Sequence, residues 1–360
     1  MTPGPERPLW RRVWDWLFRW QTLLWLLVIL LVWWALKDVP WPEVAGLLRQ
    51  LTAWQILALV IVNTLATFAF GGRVWVLLRA VGEKVPLYKL TEYWLVGYAF
   101  SFFTPGPQFS GAPLQVYLML QQYPVDSSRG TAAVTVSTAL EGLVNAVFLF
   151  FGVYALFNLG VFSGFENAII IVFAIILLAV TAGYLVLTWR GYHPATWLLD
   201  HMPRVLKSRP GFQNIQAISA ETEKLIGEYI ASHPWAVTAG LLVTMAITAL
   251  MVTNAWLAMS FLGVHLRFVQ IVAVLITIEM AVLFPTPGGL GAVEAAMVIV
   301  FQSLGYSSSQ ATAFVLLLRI KDIIMGGLGL LFGGWDLIRQ GGAPAAVPST
   351  AADPAAKELE

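Results

Sequence analysis

Runs of apolar residues too long for a soluble core set the first constraint on this chain. They lie at 20–37, 51–80, 130–157, 167–189, 235–262 and 310–338. Each meets or approaches the roughly 20 residues that a helix needs to cross a hydrocarbon layer of about 30 Å. With 58% of its 360 residues hydrophobic and 11% charged, almost the whole chain must sit in lipid or pack within it. Inside lipid a single apolar segment satisfies its own backbone only as a helix, which predicts an all-α polytopic membrane protein.

The same composition excludes several function classes. There is no cysteine, so disulfides and thiolate chemistry are ruled out, and the four histidines (His193, His201, His233, His265) lack metal-ligand spacing. No Gly-Lys-Ser/Thr phosphate loop occurs, and the basic residues form no nucleic-acid patch. Neither a metal nor any other cofactor is expected.

Two sites interrupt the hydrophobicity in the same way, Thr104-Pro105-Gly106 and Thr286-Pro287-Gly288. Proline and glycine break helices, and the bilayer has no water to satisfy the freed backbone. The flanking arms, 88–103 with 111–123 and 268–284 with 291–304, are about 13–17 residues each, or roughly 20–25 Å of helix. That is short of a full crossing and predicts two re-entrant helical hairpins beside about six full transmembrane helices. Broken segments at matching places in two halves point to a transporter's binding site.

Lys/Arg placement orients the chain. With both termini cytoplasmic, sixteen of the 21 basic residues fall inside or at the inner boundary, and only Lys37, Arg49 and Arg267 fall outside. The first hairpin then enters from the cytoplasm and the second from the opposite face. Similarity between the halves supports a repeat: Ser127 to Ala132 resembles Ser308 to Ala313, and at that offset Glu141 matches Asp322, and Phe151-Gly152 matches Phe332-Gly333. The predicted architecture is an inverted-topology repeat in the inner or plasma membrane. It begins with a basic, aromatic N-terminal segment (1–19), read as leading into a retained signal anchor. Two membrane halves follow, 20–189 with hairpin 88–123 and 235–339 with hairpin 268–304. A cytoplasmic connector (190–234) joins them, and a disordered tail (340–360) ends the chain. In the connector, Ile215, Ile218, Leu225, Ile226 and Tyr229 share one helical face, with Glu221, Glu223, Lys224 and Glu228 beside it.

Candidate site residues cluster around the breaks. Gly106 and Gly111 in the first tip, and Gly288, Gly289 and Gly291 in the second, let backbone amides approach a ligand, with Thr104 and Thr286 at the turn entries. The helices leaving the tips present positive ends suited to a lipid phosphate; a ligand-free turn packed through small residues is the competing reading. Glu294, one turn into the second outgoing helix, either meets a cationic headgroup or caps that helix. Glu141 and Glu279 are intramembrane carboxyls, read as functional by default or as protonated hydrogen-bond donors between helices. Arg319, Lys321 and Asp322 cluster in the last span. Arg319 and Asp322 share a helix face and are expected either to pair with each other or to leave Arg319 or Lys321 for a phosphate.

At the two breaks the chain resembles the transmembrane region of lysylphosphatidylglycerol synthases, also found as standalone flippase-like integral membrane proteins. The resemblance rests on Thr104 to Leu118, which ends in a Pro-x-Gln-x-Tyr-Leu segment, and on Pro285 to Ala295. It adds Gln115 and Tyr117 as site residues. Two departures stand out: Ser110-Gly111-Ala112 lacks the acidic or amide residue usual at the first tip, and Gly142 and Asn145 replace an Arg and an Asp usual after Glu141. The resemblance implies a lipid translocator that moves a phospholipid or glycolipid headgroup, without the lipid-modifying domain, so no enzyme activity is expected and a separate lipid-modifying enzyme is a possible partner. Two alternatives stay open: a membrane subunit or enzyme acting on polyisoprenyl-phosphate or aminoacyl lipids, which would need a convergent acid/base pair such as Glu294 with Glu141, and a small-solute or ion transporter.

Overall fold

A computed structural model describes residues 39–103, 111–158, 190–202, 212–282 and 286–339, with single positions outside these ranges. The expected span at 20–37, most of that at 167–189, Thr104 and Gly106 of the first tip, and the 340–360 tail lie outside the described residues. Every described element is helical: α1 (Trp41–Arg49), α2 (Ala53–Ala80), α3 (Leu87–Phe103), α4 (Gly111–Gln122), α5 (Ser127–Asn158), α6 (Pro194–Asp200), α7 (Phe212–Ser232), α8 (Pro234–Phe261), α9 (Phe268–Val282), α10 (Ala292–Ser303) and α11 (Ser308–Arg339). Among them Ala53–Ala80, Ser127–Ala155 and Pro234–Phe261 are long and apolar enough to cross a membrane. On α2 the side chains of Trp54, Val60 and Leu65 are exposed, as on a helix whose solvent is lipid.

Two sets of four helices match along the chain. The starts of α2 and α8, α3 and α9, α4 and α10, and α5 and α11 are each separated by 181 residues. Their lengths match too: 28 and 28, 17 and 15, 12 and 12, 32 and 32 residues. Local signals repeat at the same offset. Gly82 and Gly263 end α2 and α8 with φ of 84° and 76°, the left-handed closure that lets a helix satisfy its last carbonyls. Asp126 caps α5 through the Arg129 N–H, at 3.0 Å. Ser307 caps α11 through the Gln310 N–H, at 3.2 Å.

Packing between the sets is reciprocal. α2 lies against α8, joined by Asn63 Nδ2 donating to Asn254 Oδ1 at 2.9 Å. The hairpin arm α3 packs on α11 of the other set, and α9 packs on α5. Glycines make both approaches close: Gly152 of α5 abuts Ile276, and at Gly333 of α11 a Cβ would fall 2.9 Å from Val96. Each set has its own core. One surrounds Leu77, Tyr93 and Met119, the other Met259, Phe301 and Phe314.

In the polar stretch between the sets, α7 buries Ile226 and Tyr229 against the first core, and the Tyr229 hydroxyl donates to the Leu77 carbonyl of α2. Side chains of Ile215, Ile218 and Leu225 lie outside the described residues. Glu223, expected on the polar side, is buried. Its carboxylate accepts from the Ala195 and Thr196 amides at 2.7 and 3.0 Å, capping α6.

Candidate functional site

The second break shows how an interrupted helix is made tolerable in lipid. Between α9 and α10 the chain forms a 3-10 turn, Pro287–Gly289, and Gly288, Gly289 and Gly291 take φ of 55°, 65° and 82°. Buried Thr286 donates its hydroxyl to the Leu290 carbonyl at 3.1 Å and accepts the Gly289 N–H at its own carbonyl, also at 3.1 Å. The Gly291 N–H donates to Glu294 Oε2 at 2.7 Å. Arg319 then reaches across from α11. Its Nε donates to Glu294 Oε1 at 2.8 Å and its Nη1 to the Gly288 carbonyl at 2.7 Å, while Nη2 lies 3.5 Å from the Gly289 carbonyl. One guanidinium thus satisfies carbonyls that the break left without helical partners and neutralises the cap of the next helix.

This arrangement corrects one expected pair. Arg319 and Asp322 do not bond each other, because the long arginine side chain is drawn to Glu294 and the tip. Asp322 instead accepts from the Tyr98 hydroxyl at 2.9 Å and pairs with Lys321 at 3.1 Å. Glu294 both caps α10 and serves as the counter-ion of Arg319.

A cavity of about 560 Å³ opens between α2, α3, α4, α5, α8 and α9. One wall is an aromatic ladder on α3, Trp94, Tyr98 and Phe102, whose rings follow at 5.5 and 5.9 Å. Spacing by four residues puts all three on one face. Phe70 of α2 extends the ladder, stacking on Trp94 at 4.1 Å. At the other end Phe102 lies against the Cα of Gly288, so aromatic wall and second tip touch.

The cavity's charges come from three helices. Arg73 of α2 is buried, donates from Nε to Ser137 Oγ at 2.7 Å, and from Nη2 to the Glu141 carboxylate of α5. It also lies 5.7 Å from the Phe70 ring centroid. Glu279 of α9 has an exposed side chain that lines the cavity. It stands 181 residues after Tyr98, as Asp322 does after Glu141. In one set the position holds a phenol bonded to Asp322; in the other it holds a carboxyl within Coulombic range of Glu141 and Lys321.

Among the expected site residues, Gly111, Gln115, Glu141 and Glu279 line this cavity, and Tyr117 packs into the first core. Thr286, Gly288, Gly289, Gly291, Glu294 and Arg319 form the tip clamp, and Lys321 and Asp322 sit behind Tyr98. Glu294 is not among the residues that line the cavity with Glu141. The residue missed in the sequence is Arg73. Lys/Arg placement counts it among the sixteen inner or inner-boundary cations, but it lies seven residues before the end of α2, roughly 10 Å up the helix. That depth was the available signal.

The family profile described as lysylphosphatidylglycerol synthase TM region matches residues 21–329. Among curated proteins, a UPF0104 membrane protein of Methanothermobacter thermautotrophicus is 22% identical over 296 residues, covering 79% of this chain and 85% of that protein.

Proposed function

Because this chain belongs to the lysylphosphatidylglycerol synthase transmembrane-region family, we propose that it moves a lipid headgroup between leaflets, with the cavity bounded by α2, α3, α4, α5, α8 and α9 as the headgroup's seat. The observation that carries this reading is the convergence of Arg73, Glu141 and Glu279, from three helices, on one cavity inside an apolar membrane fold. Charges are costly at membrane depth and persist there where they line a path or site. A headgroup in the cavity exchanges its water for these groups while the acyl tails stay in the bilayer. The volume falls in the range of roughly 300–1,000 Å³ typical of small-ligand sites.

The reciprocal packing of α3 on α11 and α9 on α5 supports a rocking mechanism, in which one set moves against the other around a fixed seat. In this reading the two hairpins enter from opposite faces of the plasma membrane, both termini are cytoplasmic, and any lipid-modifying step belongs to a separate enzyme. The test is leaflet exchange of labelled phospholipids, glycolipids and isoprenoid phosphates in proteoliposomes. Acceleration over protein-free vesicles for at least one headgroup class is expected; none for any class sinks the proposal.

A further inference from the structure

Two buried donors that the fold leaves unused mark a subsite in the cavity. Arg73 is 3% exposed and Gln115 6%. Arg73 commits Nε to Ser137 and Nη2 to Glu141, and its Nη1 has no acceptor among the described residues. Gln115 Nε2 has none either. The two side chains come from different helices, α2 and α4, and both line the same cavity. Buried polar groups are nearly always paired, so two unpaired donors on side chains that line one cavity call for an external acceptor toward which those side chains turn.

Chemistry narrows that acceptor. A guanidinium is a planar fork that holds one anion at Nη2 while presenting Nη1 to a second. The amide adds a neutral donor from another direction. Gly111 and Ala112, the first turn of α4, line the cavity as well, bringing the positive end of a 12-residue helix to the same place. A Cβ at Gly111 would fall 2.5 Å from the Gly97 carbonyl oxygen, so only glycine lets α4 start this close to α3. All three elements favour an oxyanion with more than one free oxygen. We infer that Arg73 and Gln115 clamp the phosphodiester of a phospholipid headgroup. The inference rests on the headgroup reading above and selects phospholipids over phosphate-free glycolipids.

The decisive variant is Gln115→Leu, which keeps the side chain's bulk and removes its donor. Gln115 makes no hydrogen bond among the described residues, so thermal stability of the ligand-free protein should hold or rise. Binding is read in detergent by native mass spectrometry with three probes: short-chain phosphatidylglycerol, a short-chain glucosyl diacylglycerol, and glycerol phosphate. The wild type is expected to retain phosphatidylglycerol in preference to the other two. Gln115→Leu should weaken that retention about tenfold, the effect of one lost bond to a charged group, and leave the glucolipid unchanged. Arg73→Lys, which keeps a charge for Glu141 but loses the fork, should show the same selective loss. Equal phosphatidylglycerol binding by wild type and Gln115→Leu overturns the clamp, as does glycerol phosphate binding as well as the lipid. If leaflet exchange persists in that event, translocation stands without the clamp; if the wild type exchanges no lipid, translocation itself has failed.

Discussion

Arg319 replaces, with a single side chain, what the second break takes away. The turn frees the Gly288 and Gly289 carbonyls, and no water is at hand to receive them, so the guanidinium takes both and balances its charge on Glu294. Side-chain exposures of 13% and 10% put this pair in the regime where removing one partner strands a buried charge. Glu294→Ala should therefore destabilise by about 3–5 kcal/mol. Glu294→Gln, which can still accept the Gly291 N–H, should lose less, and thermal unfolding of the purified protein separates the two. Gly288 gives a second test at this scale. Its φ of 55° strains any L side chain, by roughly 1–2 kcal/mol, and an added Cβ would also overlap the Phe102 ring. Gly288→Ala should cost more than the strain alone, and adding Phe102→Leu should recover the excess. Glu279 carries a functional prediction: its carboxyl faces the cavity, and Glu279→Gln removes any negative charge it can carry there, so the variant should raise exchange of anionic lipids relative to zwitterionic ones in the same vesicles. An unchanged ratio would remove Glu279 from headgroup selection.

At the scale of elements, long apolar runs were legible because nothing in them competes with the helix. The runs at 51–80, 130–157 and 235–262 became helices within a residue or a few of those limits, and the Thr286-Pro287-Gly288 signal located α9 and α10. The match of Ser127 with Ser308 was also readable, since both begin 32-residue helices. Partner choice was not. Spacing by three on one face suggested Arg319 with Asp322, but a tertiary contact 25 residues away offered Arg319 a carboxylate and two carbonyls together. Arg73 and Glu141 are 68 residues apart on separate helices, and no local rule joins them. Glu223 failed for a similar reason: helical spacing placed it with its charged neighbours, while docking of α6 made it a buried cap. Docking of α7 makes a pH prediction. Burial pushes the Tyr229 phenol above its ordinary value of 10.0. The folded state thus holds this proton more tightly than the unfolded chain, a contribution complete below pH 10 and lost as pH rises above it. Tyr229→Phe should flatten the decline in unfolding temperature above about pH 10, although it forfeits the bond to the Leu77 carbonyl at every pH.

For the whole molecule, two matched sets of helices pack reciprocally and enclose charges that neither set's apolar core accommodates. Family membership joins this architecture to lipid chemistry, and in the proposed function the cavity is the place where a headgroup sheds its water. The account depends on the headgroup passing through that space rather than along the protein's outer surface. Asn145 of α5 lines the cavity and makes no hydrogen bond among the described residues, so Asn145→Trp adds bulk there without breaking a hydrogen bond. The direct measurement is the leaflet-exchange rate of a labelled phospholipid in proteoliposomes of wild type and Asn145→Trp, at equal protein content and with folding verified by unfolding temperature. A fall of the variant to the rate of protein-free vesicles is predicted; exchange as fast as wild type would contradict passage through the cavity.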